Sequence, residues 1–409
     1  MHVVRINVGL SEWAISVPTT QLVQAHNLSN PAEAIIDIHS ALREALDHPF
    51  GLGFSLRRAF TSDDRIALVI DETLPQLPRL IEGVLEYLGS VGIPPEATTI
   101  ISPSRSRFND WIDELADELS DVKTELHDPS DRGALSYLTT TREGRRIYLN
   151  RTLLDADQII VLSRRPYNTD HVYAGAASSI FPGLSDRETL LHFHKAARSE
   201  DRAHKLRQEA EQIGELLSSM INIQAIAGAG DSLERVCAGL FNASAEGMRL
   251  QDERWCFTVA EEVDLVVAAL SGDPRRHDFA MLAAAAATAA SIVKERGFII
   301  ILSEAEPEID AGIEAIRHAE DPEHALRLLR SNQLPECASA MSWARAANHA
   351  RLYLASGMKP EIVEEIFATP LCTPEEVQRL IRQAARCLLI PDAHKSQVLR
   401  KQEPESRQI

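Results

Sequence analysis

The sequence has little that would anchor it in a membrane or staple it with disulfides. No apolar run approaches the length of a bilayer span, and the opening MHVVRINVGLSEWAISVP alternates apolar and polar residues instead of forming a continuous apolar segment. A water-soluble, cytoplasmic protein is expected. Its cysteines, Cys237, Cys256, Cys337, Cys372 and Cys387, are odd in number, widely spaced and without a CxxC pair, so reduced and mostly buried thiols are expected. Positive charge is also short. Forty-two Lys and Arg face 60 Asp and Glu, and the net charge of -18 gives no general footprint for DNA or RNA. The acidic excess reads as a solvated surface that keeps the chain soluble.

The common phosphate and metal motifs are missing too. There is no GxxxxGK[ST], no GxGxxG between a strand and a helix, and no HExxH, which disfavours ordinary dinucleotide-binding dehydrogenases, P-loop enzymes and zincins. The nearest glycine-rich stretches, Ala174-Gly175-Ala176-Ala177 and Gly228-Ala229-Gly230, read as tight turns.

What the chain does have is periodicity. With 44% apolar residues over a length of 409, it is long enough for two or three globular domains. Val3 to Val8 alternates, and a helix is expected over 31–46. Ile66 to Ile70 is a continuous apolar run, followed by a polar turn and the helical stripe Leu80, Ile81, Val84, Leu85, Leu88. Such a strand is buried on both faces, and this is how a βαβ unit begins. Further strands are expected over 98–101, 122–126, 146–149, 158–162 and 222–227, with helices over 108–119 and 185–217. A second block starts near Asp264, with strand 265–270, a turn at 271–274, a helix over 279–294 and strand 298–302. The expected fold is α/β: two α/β domains with largely parallel sheets facing each other across a cleft, residues 1–262 and a smaller 263–409, with a frayed polar tail from about Lys395.

In open parallel sheets, ligands bind beyond the carboxyl ends of the strands, so the loops after Ile70, Ile101 and Leu162 are the places to search for chemistry. His192 and His194 are two apart in a predicted helix and face nearly opposite ways, so at most one can ligate a given metal. His171, in the loop after strand 158–162, is placed as a general base would be.

Several segments, in order, resemble the lactate racemase family of nickel-pincer-nucleotide enzymes, which interconvert the two hands of 2-hydroxy acids. Asp63 to Pro75 is similar to that family's strand ending in an Asp-x-Thr-Arg-Pro turn. Tyr173-Ala174-Gly175-Ala176-Ala177-Ser178 with Phe181-Pro182-Gly183 resembles its aromatic-Ser-Gly-Gly-x-Lys loop, and His194 falls at the spacing of its nickel ligand. Ala229-Gly230-Asp231, Asp264 to Val267, Gly272-Asp273-Pro274-Arg275 and His349 to Ser356 resemble later landmarks. The resemblance implies hydride transfer to a nickel-pincer nucleotide, two bases flanking the substrate, an Arg forked onto its carboxylate and a Lys carrying the cofactor.

The chain departs from that pattern at most of these positions. Leu74 replaces the Arg, Ser106 the first His, Tyr167 or Asn168 the second, Ser178 the Lys, and Arg275 the Lys of the second domain. By resemblance, Tyr167, His171, Asp71 and Arg275 become the candidate catalytic residues. Asp71, Ser178, Gly175 and Arg165 become candidate cofactor contacts, Arg105 and Ser106 candidate substrate contacts, and His194 the candidate metal ligand. Arg107 and Arg164 add positive charge to the same loops. The expected activity is that of a 2-hydroxy acid racemase or epimerase with a nickel-pincer nucleotide held without a covalent bond. The alternative is a catalytically altered paralogue that binds a small anion or nucleotide. The expected partner is a small anionic substrate, with no nucleic acid and no membrane, and a homo-oligomer is compatible with the sequence.

Overall fold

The computed structural model describes residues 2–23, 25, 33–102, 110–115, 119, 121–141, 144–164, 175–196, 200–217, 220–240, 244–331 and 337–401. The chain forms two compact units, one made of residues 32–251 and the other of residues 1–31 with 252–409. It opens with an antiparallel hairpin of β1 (His2–Val8) and β2 (Ser11–Val17), turned at Gly9 with φ 55°.

The 32–251 unit begins with α1 (Ile38–Asp47), β3 (Ile66–Ile70), α2 (Leu77–Ser90), β4 (Thr98–Ser102), α3 (Asp110–Asp113) and β5 (Lys123–Leu126). It continues with β6 (Leu135–Thr140), β7 (Arg146–Asn150), α4 (Arg151–Asp155), β8 (Gln158–Ser163), α5 (Ala176–Ile180), α6 (Arg187–Ala196) and α7 (Glu200–Leu216). Then come β9 (Met220–Ala227), β10 (Leu233–Leu240) and α8 (Ser244–Trp255). The main sheet has the order β10-β9-β8-β3-β4-β5, and all its neighbouring pairs are parallel except β10 with β9.

β3 explains why the sheet is covered on both sides. All five of its residues are buried. Ile66, Leu68 and Ile70 pack with Leu42 of α1 and Leu80, Ile81 and Val84 of α2, while Ala67 and Val69 pack with Phe181, Phe193 and Leu206. Each large aliphatic side chain so buried contributes roughly 1.5–3 kcal/mol. A strand with no polar face is therefore stable only at the centre of a doubly covered sheet.

The other unit adds β11 (Cys256–Val259), β12 (Val263–Ala269), α9 (Phe279–Ala290), β13 (Val293–Leu302), α10 (Ala311–Arg317), α11 (Pro322–Ser331) and α12 (Cys337–His349). It ends with β14 (Arg351–Ala355), α13 (Pro360–Glu365), β15 (Ala368–Pro370), α14 (Pro374–Gln383), β16 (Cys387–Ile390) and β17 (Gln397–Arg400). Its parallel sheet has the order β15-β14-β13-β12-β16. Ile6, Val8, Ile15 and Val17 of the hairpin pack with Leu265, Val267 and Ile300 of this sheet and with Val377 and Ile381 of α14.

The division differs from a single boundary at 262 because β1 and β2 bond to the C-terminal part of the chain. Gly9 N–H donates to Leu270 O at 2.8 Å, and Cys387 N–H donates to Gln21 O at 2.7 Å. Nor does the chain fray from Lys395: β17 pairs in parallel with β11, and Val398 is buried. The helix expected to reach 294 stops at Ala290, and its strand begins at Val293, with Arg296 at φ 62° and a shift of register where it meets β12. Of the helix expected over 108–119, residues 110–113 are described as helical; 103–109, 116–118 and 120 lie outside the described residues. Among the described residues no helix is long and apolar enough to cross a membrane.

Candidate functional site

Polar side chains gather at the carboxyl ends of β3, β4 and β8 and on the adjacent β9. Asp71 follows β3, and its amide still donates to Leu162 O at 3.0 Å, so it extends the ladder by one residue. Its Oδ1 accepts from Thr73 N–H at 3.0 Å and from Thr73 Oγ1–H at 2.5 Å. This is the local turn that a short acidic side chain makes with the backbone two residues on, and it fixes the carboxylate. Asp71 thus closes a turn and does not cap a helix; α2 begins at Leu77 behind Gln76, which is in the left-handed region.

The second oxygen, Oδ2, faces Arg164, the residue just after β8, and lies 3.6 Å from its Nε. That separation is an ion pair and too long for a hydrogen bond. The Arg164 Nε–H is buried and has no hydrogen-bond partner among the described residues. The side chains are 27% and 24% exposed, which leaves a half-desolvated cation with an unused donor beside an oriented carboxylate.

On the other face of β3, Glu72 is nearly buried and accepts from Ser102 Oγ–H at the end of β4 and from Trp111 Nε1–H of α3 at 3.2 Å. It ties the first two loops together. At the end of β8, Ser163 Oγ–H donates to Asn222 Oδ1 of β9 at 3.1 Å, and both residues are buried.

The third loop returns at Gly175, whose φ of 85° is left-handed and precedes α5. Ser178 N–H donates to Gly175 O at 3.1 Å, Gly183 N–H donates to Ser178 O at 3.2 Å, and the Ser178 side chain is buried. Phe181 and Phe193 meet edge to face at 5.0 Å, which docks α6 against the end of α5. Beneath this loop His127, 1% exposed, bonds through Nε2 to Ser185 O at 2.9 Å, and Asn150 Nδ2 approaches its Nδ1 at 3.4 Å. Burial holds the His127 imidazole below its usual pKa.

Of the sequence candidates, Asp71, Gly175 and Ser178 are in this region of the 32–251 unit. Arg105, Ser106, Arg107, Arg165, Tyr167, Asn168 and His171 lie outside the described residues. His194 is in α6, and its side chain lies outside the description. Leu74 is fully buried in the core beside α2, so its position is committed to packing. Arg275 belongs to the other unit, where its exposed guanidinium forks onto its neighbour Asp273, with Nη2 to Oδ2 at 2.7 Å. That fork holds the Asp273 carboxyl below the usual carboxylate range. Among the described residues no group of three or more His, Cys, Asp or Glu is arranged to hold a metal ion.

Sequence reading does not reach Glu72, Ser102 or Asn222. Arg164 was legible as loop charge, and its pairing with Asp71 comes from the parallel register of β3 with β8. A cavity of about 550 Å³ lies at the opposite, amino ends of β3 to β5, lined by Arg65, Glu96, Lys123, Glu125 and Asp155 among others. Glu125 there already accepts from Asn150 Nδ2–H and Thr152 Oγ1–H, both at 2.5 Å.

Residues 8–205 match the family model of the lactate racemase N-terminal domain. The lactate racemase apoprotein from Thermoanaerobacterium thermosaccharolyticum is similar in structure, with a TM-score of 0.77 and 16% identity, covering 97% of this chain and 100% of that one. A protein from Thermotoga maritima is similar with a TM-score of 0.65 and 13% identity, covering 91% of this chain and 100% of that one. At such identities the two structures establish the likeness of fold. No curated protein matches the chain.

Proposed function

We propose that this chain, whose residues 8–205 match the model of the lactate racemase N-terminal domain, is a member of the lactate racemase family that binds a small hydroxylated carboxylate, of the 2-hydroxy acid class, at the carboxyl ends of β3 and β8. The observation that carries this reading is the Asp71–Arg164 pair. Arg164 offers a buried N–H with no hydrogen-bond partner among the described residues, and 3.6 Å away Asp71 holds an oriented carboxylate oxygen. A substrate carboxylate would take the Arg164 donor, a charge-assisted bond stronger than a neutral one. The hydroxyl on the neighbouring carbon would donate to Asp71. Arg164 in this role substitutes, from a different loop, for the guanidinium missing at Leu74.

A covalently held nickel nucleotide does not fit the residues present. Position 178 supplies a buried serine hydroxyl where an amine would be needed to form the amide-type link, and no step of this reading runs through that group. A 2-hydroxy acid racemase or epimerase using a non-covalently held nickel-pincer nucleotide is the second reading. It is favoured by the packing of Phe193 on Phe181, which brings the helix carrying His194 onto the end of the helix carrying Ser178.

Calorimetric titration of the full chain with both enantiomers of lactate and of longer 2-hydroxy acids tests the first reading, with Arg164→Gln and Asp71→Asn as controls. Binding that disappears in R164Q supports it, and no binding by the wild type refutes it. Nickel analysis of the protein as purified, with a chiral assay of the same acids, decides the second reading.

A further inference from the structure

We propose that Gln224 is a specificity-determining residue of the strand-end site, one that reads a polar group of the ligand about two strand spacings from the group held at Asp71. The proposal rests on the reading of that site given above. Ser163 stands opposite Gln224 in the parallel register of β8 with β9, and Ile70 stands opposite Leu162 in that of β3 with β8. Asp71, Ser163 and Gln224 therefore occupy one row across three adjacent strands. Side chains alternate along a strand, so Asp71 falls on the face of Ala67 and Val69, and Gln224 on the face of Asn222, whose side chain bonds to Ser163. Adjacent strands are about 4.8 Å apart, so the row spans about 10 Å from Asp71 to Gln224.

Gln224 is 2% exposed, and both polar atoms of its carboxamide are buried without a hydrogen-bond partner among the described residues. Buried polar groups almost always find one, and an orphaned carboxamide destabilises the fold that carries it. Its neighbours on the same face show what a satisfied residue looks like, since Ser163 beside it in the row and Asn222 two residues before it bond to each other. Space for the carboxamide is made by Gly247 of α8, where an added Cβ would lie 1.4 Å from Gln224 Oε1. A side chain that could be apolar, and for which a helix gives up its own side chain, is retained for a bound state that supplies the missing partner. Two N–H donors and one carbonyl acceptor match a hydroxyl best, because a hydroxyl can both accept and donate. The ligand is therefore longer than a three-carbon hydroxy acid and hydroxylated along its length.

The test compares the full-length wild type, Gln224→Met and Arg164→Gln in titrations with lactate and with a six-carbon aldonate, alongside thermal unfolding without ligand. Q224M keeps the shape and removes the polarity. It is expected to raise the melting temperature by about 1–4 °C, to weaken the aldonate at least tenfold, and to leave lactate within twofold. Gln224→Leu should behave alike and serves if Q224M does not fold. Equal effects on both acids, no effect on either, or a lowered melting temperature overturns the proposal. If the wild type binds neither acid, the reading of the site falls and this proposal with it. If R164Q abolishes both and Q224M changes neither, only the role of Gln224 falls.

Discussion

Asp71 holds one carboxylate oxygen against Thr73 and turns the other to Arg164, 3.6 Å from its Nε. The Thr73 hydroxyl is thus what aims the carboxylate. Thr73→Val keeps the branched shape and deletes the hydroxyl donor, leaving only the amide. Stability should fall by about 0.5–1.5 kcal/mol, and affinity for a 2-hydroxy acid should fall several-fold while Arg164 is intact. Denaturant midpoints and titration calorimetry of T73V measure the two effects. Unchanged affinity would show that the orientation of Asp71 is irrelevant to binding.

His127 gives a prediction of pH dependence with a definite sign. Its Nε2–H donates to Ser185 O, so the neutral form with Nδ1 open toward Asn150 is the one that fits. Burial lowers its pKa below the ordinary 6.5, against smaller raising contributions from the Ser185 carbonyl, Glu125 and Asp128. The unfolded chain therefore takes up this proton before the folded chain does. The stabilisation is present above the ordinary value and is lost as pH falls through the folded value. Urea midpoints measured from pH 8 to pH 5 should decline in the wild type and decline less in His127→Gln. Parallel profiles would remove His127 from the cause.

How far the sequence foretold this arrangement depended on whether the signal was local. Ile66 to Ile70 and Gln158 to Leu162 could be recognised because continuous burial demands continuous apolarity. β10 carries no such signal, because it is an antiparallel edge strand whose Glu234, Arg235 and bulge break the pattern. β2 continues an alternation that was already visible, but its partner is set by a turn at Gly9. The site divides in the same way. Asp71 and Ser178 came from motif-like neighbours, whereas the meeting of Asp71 with Arg164 and of Glu72 with Ser102 depends on parallel register, which no single segment encodes.

Thiol chemistry should sort the cysteines by burial. Cys387 is fully buried in β16, and burial pushes its thiol up to about 12; Cys237 is pushed up to about 11, with Glu246 adding to the same effect. Cys372 is exposed. The thiolate is the reactive form. A water-soluble maleimide at pH 7.5 should label Cys372 first, with Cys387 protected until the protein unfolds. Peptide mass spectrometry over a labelling time course checks the order, and early labelling of Cys387 would contradict its place in the core.

The last described strand makes the sharpest distinction between tail and fold. β17 pairs with β11 from Cys256 opposite Gln397 to Val259 opposite Arg400, and Lys401 N–H donates to Val259 O at 2.8 Å. Thr288 Oγ1–H of α9 donates to Ser396 O at 3.0 Å where the strand begins. Val398 is buried, and removing a buried valine costs about 1.5–3 kcal/mol before any backbone bond is counted. A chain ending at Ser396 should therefore lose about 2–4 kcal/mol, since each ladder bond adds about 0.5–1.5 kcal/mol and new solvent contacts offset part of the loss. A chain ending at Lys401 keeps every one of these contacts and should be the more stable of the two by that amount. Guanidinium unfolding of the two truncations separates them, and equal stability would mean that β17 contributes nothing to the unit it closes.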